Sequence, residues 1–237
     1  MKIFTLVFCL FISSLSTSSI FAQTTTSLLE VSKIFEEEHD QYKPLILPSA
    51  FIIYGFIGLN SERLRALDFS IREELRYVDR KVSLDDYLEF SPLVAVYGLK
   101  MLGGKGKHDL RELSLITGSS MVIMSASVFS IKRLTGIERP DGSEFTSFPS
   151  GHTATAFMCA EILSQEYKDE SRLYGILGYT AAAATGYLRI YNDKHWFSDV
   201  VAGAGFGILS TKLSYYLHKK LQSRISRTKK HLPRYLP

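Results

Sequence analysis

Three short clusters in this chain carry the residue types of group-transfer chemistry. In "KRLTGIERP", six residues separate Lys132 from Arg139, which Pro140 follows. "PSGH" sets Ser150, Gly151 and His152 in a row, and "LRIYNDKHWFSD" spaces Arg189, His195 and Asp199 by five and three intervening residues. Pro140 restricts the residue before it to extended backbone, and a guanidinium fixed in this way suits bidentate contact with phosphate. Lys132 closes a long apolar run, where a charge either snorkels to an interface or faces an anion.

Ser150 is a strong helix-capping residue type, so a helix is predicted to begin near Gly151. The first amides of that helix, the bare glycine backbone and the serine hydroxyl together form an anion site. His195 and Asp199 are four apart and share a face if they lie on a helix. The carboxylate can then accept from one imidazole nitrogen and leave the other as a directed base or nucleophile. Taken singly, each cluster has a plainer reading: a snorkelling lysine, a cap beside an incidental histidine, a surface His–Asp pair. Together they supply three cations and a helix N-terminus, a pocket for a dianionic phosphoryl group. One histidine can serve as nucleophile and the other as proton donor, so the set can carry phosphoryl transfer without a metal or a cofactor.

The elements that must position these residues read as helices. Segments near 88–102, 113–134, 151–166, 172–190 and 197–218 have helical character, and no strand-like alternation or internal repeat persists. The expected fold is all-α. If the helices run up and down, the three clusters fall at the same ends of consecutive helices. Ahead of them, 44–61 carries no charge, and 61–83 shows an apolar stripe at Leu64, Leu67, Ile71, Leu75, Val78 and Val82. Such a helix either packs on the domain or lies on a membrane surface.

A chain of 237 residues with 46% hydrophobic and 12% aromatic residues is one folded domain and not a disordered protein. Its net charge is +4 and its mean hydropathy +0.04, between a soluble protein and a polytopic membrane protein. Lys2, the apolar run "IFTLVFCLFI" and a Ser/Thr-rich stretch up to Ala22 read as an export signal, although Ile20 is not the small residue a cleavage site favours. The expected organisation is a signal peptide over 1–22, a lead-in with an apolar segment and an amphipathic helix over 23–87, a core over 88–218 and a basic tail over 219–237. Cleavage would leave Cys159 as the sole cysteine, which excludes an intrachain disulfide and a multi-cysteine metal site.

The best candidate membrane span, 113–131, has no charge in nineteen residues. Lysines and arginines in 103–112 and in the tail would be cytoplasmic under the positive-inside rule, which puts 135–150 and 189–196 on the outer side. A cleaved signal then requires an odd number of spans before residue 103, so either 44–61 or 88–102 fails to cross. A soluble protein with a basic patch is the alternative.

In order and spacing the three clusters resemble the signature of the type 2 phosphatidic acid phosphatase family, which shares its fold with vanadium haloperoxidases and bacterial nonspecific acid phosphatases. The resemblance covers 132–199 by motif and roughly 88–218 by helix order. It implies a single six-helix-type bundle, membrane-embedded, acting as a metal-independent phosphatase. It also implies roles: Lys132, Arg139, Ser150, Gly151 and Arg189 hold the phosphate; His195 attacks phosphorus and becomes a phosphohistidine; Asp199 orients it; His152 protonates the leaving oxygen. One departure is Leu188, where the family has serine before the third-motif arginine; loss of that donor implies altered affinity rather than lost chemistry. The stretch from "GHTATAF" to "NDKHWFSDVVAGAGFGILSTK" is most similar to envelope phosphatases of the lipid A and undecaprenyl pyrophosphate type. The expected partners are therefore a membrane and a phospholipid, lipid A or polyprenyl phosphate, with no nucleic acid and no obligate protein partner. The expected place is the bacterial inner membrane with the site facing the periplasm, the alternative being a soluble periplasmic acid phosphatase of broad specificity.

Overall fold

Among the described residues, 42–76 and 83–231 with side chains to 225, the computed structural model is built from helices and their connections, with no strand. In chain order they are α1 (Tyr42–Asn60), α2 (Glu62–Leu75), α3 (Asp85–Leu88), α4 (Ser91–Met101), α5 (Leu110–Thr135), α6 (Gly151–Tyr167), α7 (Arg172–Tyr191) and α8 (Phe197–His231). The chain divides into a unit Met1–Pro44 and a unit Leu45–Pro237, and the second holds most of α1 and every later helix. The expected signal peptide, residues 23–41 and 77–82 of the lead-in (with Val78 and Val82) and the last residues of the tail, 232–237, lie outside the described residues.

Helix α6 is the axis of the bundle and packs against α4, α5, α7 and α8. It is buried nearly all round, and its small residues Ala154, Ala156 and Ala160 are fully enclosed. Small side chains let neighbouring backbones approach closely. The approach is tightest where α8 presents Gly203 and Gly207: a Cβ on Gly207 would collide with the Ala154 carbonyl, and one on Gly203 with the Ser150 carbonyl. The sequence "GAGFG" thus seats the start of α8 directly on the start of α6. Leu113, Met124, Val128, Met158, Ile162 and Phe206 fill the space between α5, α6 and α8.

Glu161, a charge in the middle of α6, sits in the interior rather than on a solvated face. Lys212 from α8 pairs with it at 2.6 Å, Gln165 donates to it at 2.7 Å, and the Tyr179 hydroxyl also donates to it. A buried carboxylate persists when paired and hydrogen-bonded in this way.

Element boundaries follow local chemistry. Asp109 caps α5, accepting from the Glu112 N–H at 2.7 Å, which starts that helix three residues before the apolar run. Gly136 ends it in a left-handed conformation, φ 55°. Helix α8 continues past 218 into the basic segment, because no glycine or proline interrupts the chain between Gly207 and Pro233 and Lys and Arg are good helix formers. Helix α4, with 11 residues, is about 16 Å long, short of a bilayer core of roughly 30 Å.

The face that α2 buries is the apolar stripe turned toward Asp68 and away from Leu67. Asp68 is its one fully buried residue, while Leu64, Ile71, Arg72 and Leu75 are half-buried and Leu67 is 42% exposed. The reason is polar: the Asp68 carboxylate accepts the Ser198 N–H at 2.9 Å and the Ser198 hydroxyl at 2.6 Å, capping the first turn of α8. Burial pushes its carboxyl up from the usual range against those two hydrogen bonds.

Two helices, α1 and α5, are long and apolar enough to cross a membrane. Their outward residues, among them Ile46, Ile53, Leu115, Val122 and Phe129, stay exposed. On each helix these residues recur every seven positions along one face, and an exposed apolar row of this kind marks an interaction surface rather than ordinary solvent contact.

Candidate active site

All eight residues singled out by the three clusters lie where one end of α5, α6, α7 and α8 meets the loops 136–150 and 192–196. Ser150 caps α6: its hydroxyl accepts from the Thr153 N–H at 3.4 Å and from the Thr153 hydroxyl at 2.9 Å. Its own N–H donates to the Asp199 carbonyl at 3.0 Å, joining the starts of α6 and α8. Phe148 and Pro149, joined by a cis peptide, lead into this cap, and Phe148 packs edge-to-face on Phe56 of α1. Lys132, in the last turn of α5, turns toward the same point. Its ammonium donates to the carbonyls of Thr146 and Ser147, and its Cε lies 3.9 Å from where a Cβ on Gly151 would be.

Arg139 is held by its own loop. Its Nη2 lies 3.0 Å from the Glu144 carboxylate and 3.3 Å from the Thr146 hydroxyl, and its backbone N–H donates to the Glu144 carbonyl at 2.9 Å. Arg189, at the end of α7 and buried, forms an ion pair through Nη1 with the buried Asp85 of α3. His152 places Nε2 2.9 Å from the Asp86 carboxylate, on the open side of the site, where Asp86 is 57% exposed. Leu188 is half-buried beside Arg189.

His195 is 2% exposed, at the last bend before α8. Its Nδ1 is 3.5 Å from the nearer oxygen of Asp199 and makes no hydrogen bond to it. That Asp199 oxygen is occupied by the Ser147 hydroxyl and by the Trp196 N–H at 2.9 Å. Four buried polar atoms in the site have no hydrogen-bond partner among the described residues: Nε of Arg139, Nε of Arg189, Nδ1 of His195 and Oδ1 of Asp199. Such orphans are costly, and a group of them in one place marks a site built for something other than the bare fold. Burial, then the positive fields of Lys132, Arg189 and Arg139, holds the His195 imidazole well below the usual histidine range, so it is neutral at pH 7.

The loops that carry these residues are latched to each other. Arg72 of α2 grips Asp193 with a two-pronged contact, Nε to Oδ1 at 2.5 Å and Nη2 to Oδ2 at 2.7 Å, and donates to the Pro140 carbonyl at 2.9 Å. Asp193 has the left-handed φ of 59° that turns the chain toward His195. Lys194 reaches Asp141 at 2.6 Å, and the Trp196 indole donates to the Glu138 carbonyl at 3.1 Å. Burial raises the Asp141 carboxyl, but hydrogen bonds from Lys194 and Ser143 outweigh it and hold it at about 2. Arg72 thus fixes the spacing between the arginine loop and the histidine turn although it touches none of the eight residues.

Sequence reasoning missed Asp68, Arg72, Asp85, Asp86 and Ser147. Each acts on a partner more than fifty positions away, which no local pattern reports. The one available signal was "LDDYLE", three acids on a short stretch with no basic residue among them. The third, Glu89, is pushed up to about 7 by burial, with Arg189 opposing that shift and Asp86 and Asp85 adding to it.

Residues 113–223 match the PAP2 superfamily. The chain is similar to a lipid A 1-phosphatase of Porphyromonas gingivalis, with 39% identity over 155 residues, which is 64% of this chain and 35% of that protein. It therefore spans about a third of the length of this curated relative. Among solved structures it is similar to Aquifex aeolicus LpxE, with TM-score 0.49, 24% identity, and 66% of this chain and 97% of that one covered. It is also similar to a transmembrane PAP2 type phosphatidylglycerolphosphate phosphatase from Bacillus subtilis, with TM-score 0.45, 20% identity, and 76% and 98% covered.

Proposed function

We propose that the chain, whose residues 113–223 match the PAP2 superfamily, is a phosphatase acting on a phosphate carried by an envelope lipid. The observation that carries this reading is the pair of arginines, Arg139 and Arg189, whose buried Nε donors have no partner among the described residues, set beside a neutral buried histidine. Two fixed guanidiniums and the amides at the start of α6 match the oxygens of a phosphoryl group and the charge that grows on them during transfer.

In the proposed reaction Arg139, Arg189, Lys132 and the Ser150–Gly151 turn hold the phosphoryl oxygens. The Nδ1 side of His195 faces Asp199, so Nε2 attacks phosphorus and the bond to the leaving oxygen breaks. His152, on the open side, gives that oxygen a proton. Water then attacks the phosphohistidine, His152 takes a proton from it, and inorganic phosphate leaves with His195 neutral again.

The lipid part of the proposal rests on the exposed apolar faces of α1 and α5 and on the similarity to a lipid A 1-phosphatase. With α4 too short to cross, α1 is the span that satisfies the parity of an exported N-terminus, and the site then faces the periplasm. The test is phosphate release from lipid A, undecaprenyl pyrophosphate, phosphatidylglycerol phosphate, phosphatidic acid and a soluble ester, run beside carbonate extraction of membranes. We expect one lipid, with lipid A first, to exceed the soluble ester by at least about tenfold in kcat/KM, and the protein to remain in the membrane pellet. A preference for the soluble ester together with release into the wash would establish a soluble acid phosphatase instead.

A pH dependence follows from His195. Its lowered pKa keeps the imidazole unprotonated, and so nucleophilic, below the usual histidine value of about 6.5. The acid limb of kcat/KM should therefore fall below pH 6.5, with the alkaline limb set by loss of the proton from His152. Stability falls with acid as well. The unfolded chain takes up a proton on this histidine near pH 6.5 while the folded one does not, so the melting temperature should drop as pH falls from 7 toward 5. An acid limb above pH 6.5, or a flat profile in a folded protein, would contradict the assignment.

A further inference from the structure

At the end of the bundle away from the phosphate site, three potential metal ligands converge that the proposed phosphatase reaction does not use. His108 lies just before α5, Glu112 in its first turn and His218 on α8, and one ligand atom from each lies within 4.8 Å of the others. Glu112 and Lys132 stand twenty positions apart on α5, about 30 Å along the helix. We propose that His108, Glu112 and His218 form a site for a divalent cation of the zinc class, clamping the start of α5 to α8.

The second observations are in the surroundings. His218 Nε2 is buried without a hydrogen-bond partner among the described residues, and it lies 3.9 Å from the Glu112 carboxylate. That is too far for a hydrogen bond and longer than the roughly 3.3 Å between two ligands held about 2 Å from a tetrahedral ion, a difference that a small rotation of the Glu112 side chain closes. His108 is pre-oriented. Its Nδ1 bonds the fully buried Glu166 carboxylate at 2.7 Å, which leaves Nε2 for the metal. A carboxylate behind a ligating histidine fixes the tautomer and raises its basicity, a recurrent arrangement around zinc. Glu166 is itself fixed by the N–H groups of Lys107 and His108 at 3.1 and 2.9 Å and by the Tyr215 hydroxyl at 2.8 Å. The His108 and His218 rings stand at 86° with centroids 5.7 Å apart, so they do not stack. Two imidazoles and one carboxylate suit zinc and its neighbours rather than magnesium or calcium, which prefer all-oxygen sets. A water or the Gln222 amide, already in contact with Glu112, can complete four ligands.

The test uses the full chain purified in detergent without a histidine tag, stripped with chelator, and loaded with zinc ion alone. Wild type should retain about one zinc per chain more than His218→Gln or Glu112→Gln after desalting. Zinc should raise the melting temperature of wild type but not of either variant. Cobalt ion should give wild type the visible absorption of a four- or five-coordinate centre. Equal zinc content in wild type and variants would overturn the site by assigning the metal elsewhere, such as to the histidines of the phosphate pocket. If a variant fails to fold, wild type alone decides: no retained zinc and no zinc-dependent shift overturn the proposal.

Discussion

His195→Gln is expected to release phosphate roughly 10⁴-fold more slowly than wild type, since removal of a covalent nucleophile leaves only the contribution of the remaining binding groups. Glutamine is the informative replacement. It keeps a polar amide near the buried position, so the fold around Arg189 and Asp199 is preserved, but it cannot form a phosphorus–nitrogen intermediate. Rapid quenching of wild type with a labelled lipid phosphate should trap one acid-labile phosphate per chain on His195, and the variant should trap none. Retention of the wild-type rate by the variant would remove His195 from the reaction. In the proposed reaction the neutral state of this imidazole makes it competent to attack. It comes first from enclosure and then from Lys132, Arg189 and Arg139, the same cations that the proposal assigns to the phosphoryl group.

Much of this arrangement is legible in the chain. The run 113–131, the cap at Ser150 and the small-residue pattern after it locate α5 and α6 to within a few residues, because hydrophobic period and capping chemistry are local. Spacing names the eight residues, and the up-and-down course of the helices brings them to one end. What spacing could not give is the support around them. Asp85, Asp86 and Arg72 meet partners 104, 66 and 121 positions away. Nothing in "LDDYLE" or in the stripe of α2 states which cation or anion each will find. The stripe located the inward side of α2 only in part: Leu64, Ile71 and Leu75 share it, but its most buried member is Asp68, held there by hydrogen bonds to Ser198 rather than by apolar area. The His108–Glu112–His218 cluster was invisible for the same reason: its third member arrives from α8, over a hundred residues later.

Arg189→Ala should cost activity and stability together, and a second substitution should separate the two. The Arg189 side chain is 9% exposed and its partner Asp85 2%. Removing the arginine alone strands a buried carboxylate, a change that typically costs about 3–5 kcal/mol. In the proposed reaction it also removes a donor to the charge developing on the phosphoryl oxygens, typically worth ~10²–10³-fold in kcat. Asp85→Asn added to Arg189→Ala removes the stranded charge but restores no donor. The double variant should therefore melt well above the single one while its kcat/KM stays within a few-fold of it. Thermal melts and phosphate release on wild type, both single variants and the double variant read the two quantities separately. Recovery of both by the double variant would make Arg189 a structural partner of Asp85 and would leave Lys132 and Arg139 as the cations of the phosphate pocket. Recovery of stability alone fixes the division of labour: Asp85 holds the guanidinium through Nη1, and the unpartnered Nε is the donor left for the phosphoryl oxygen.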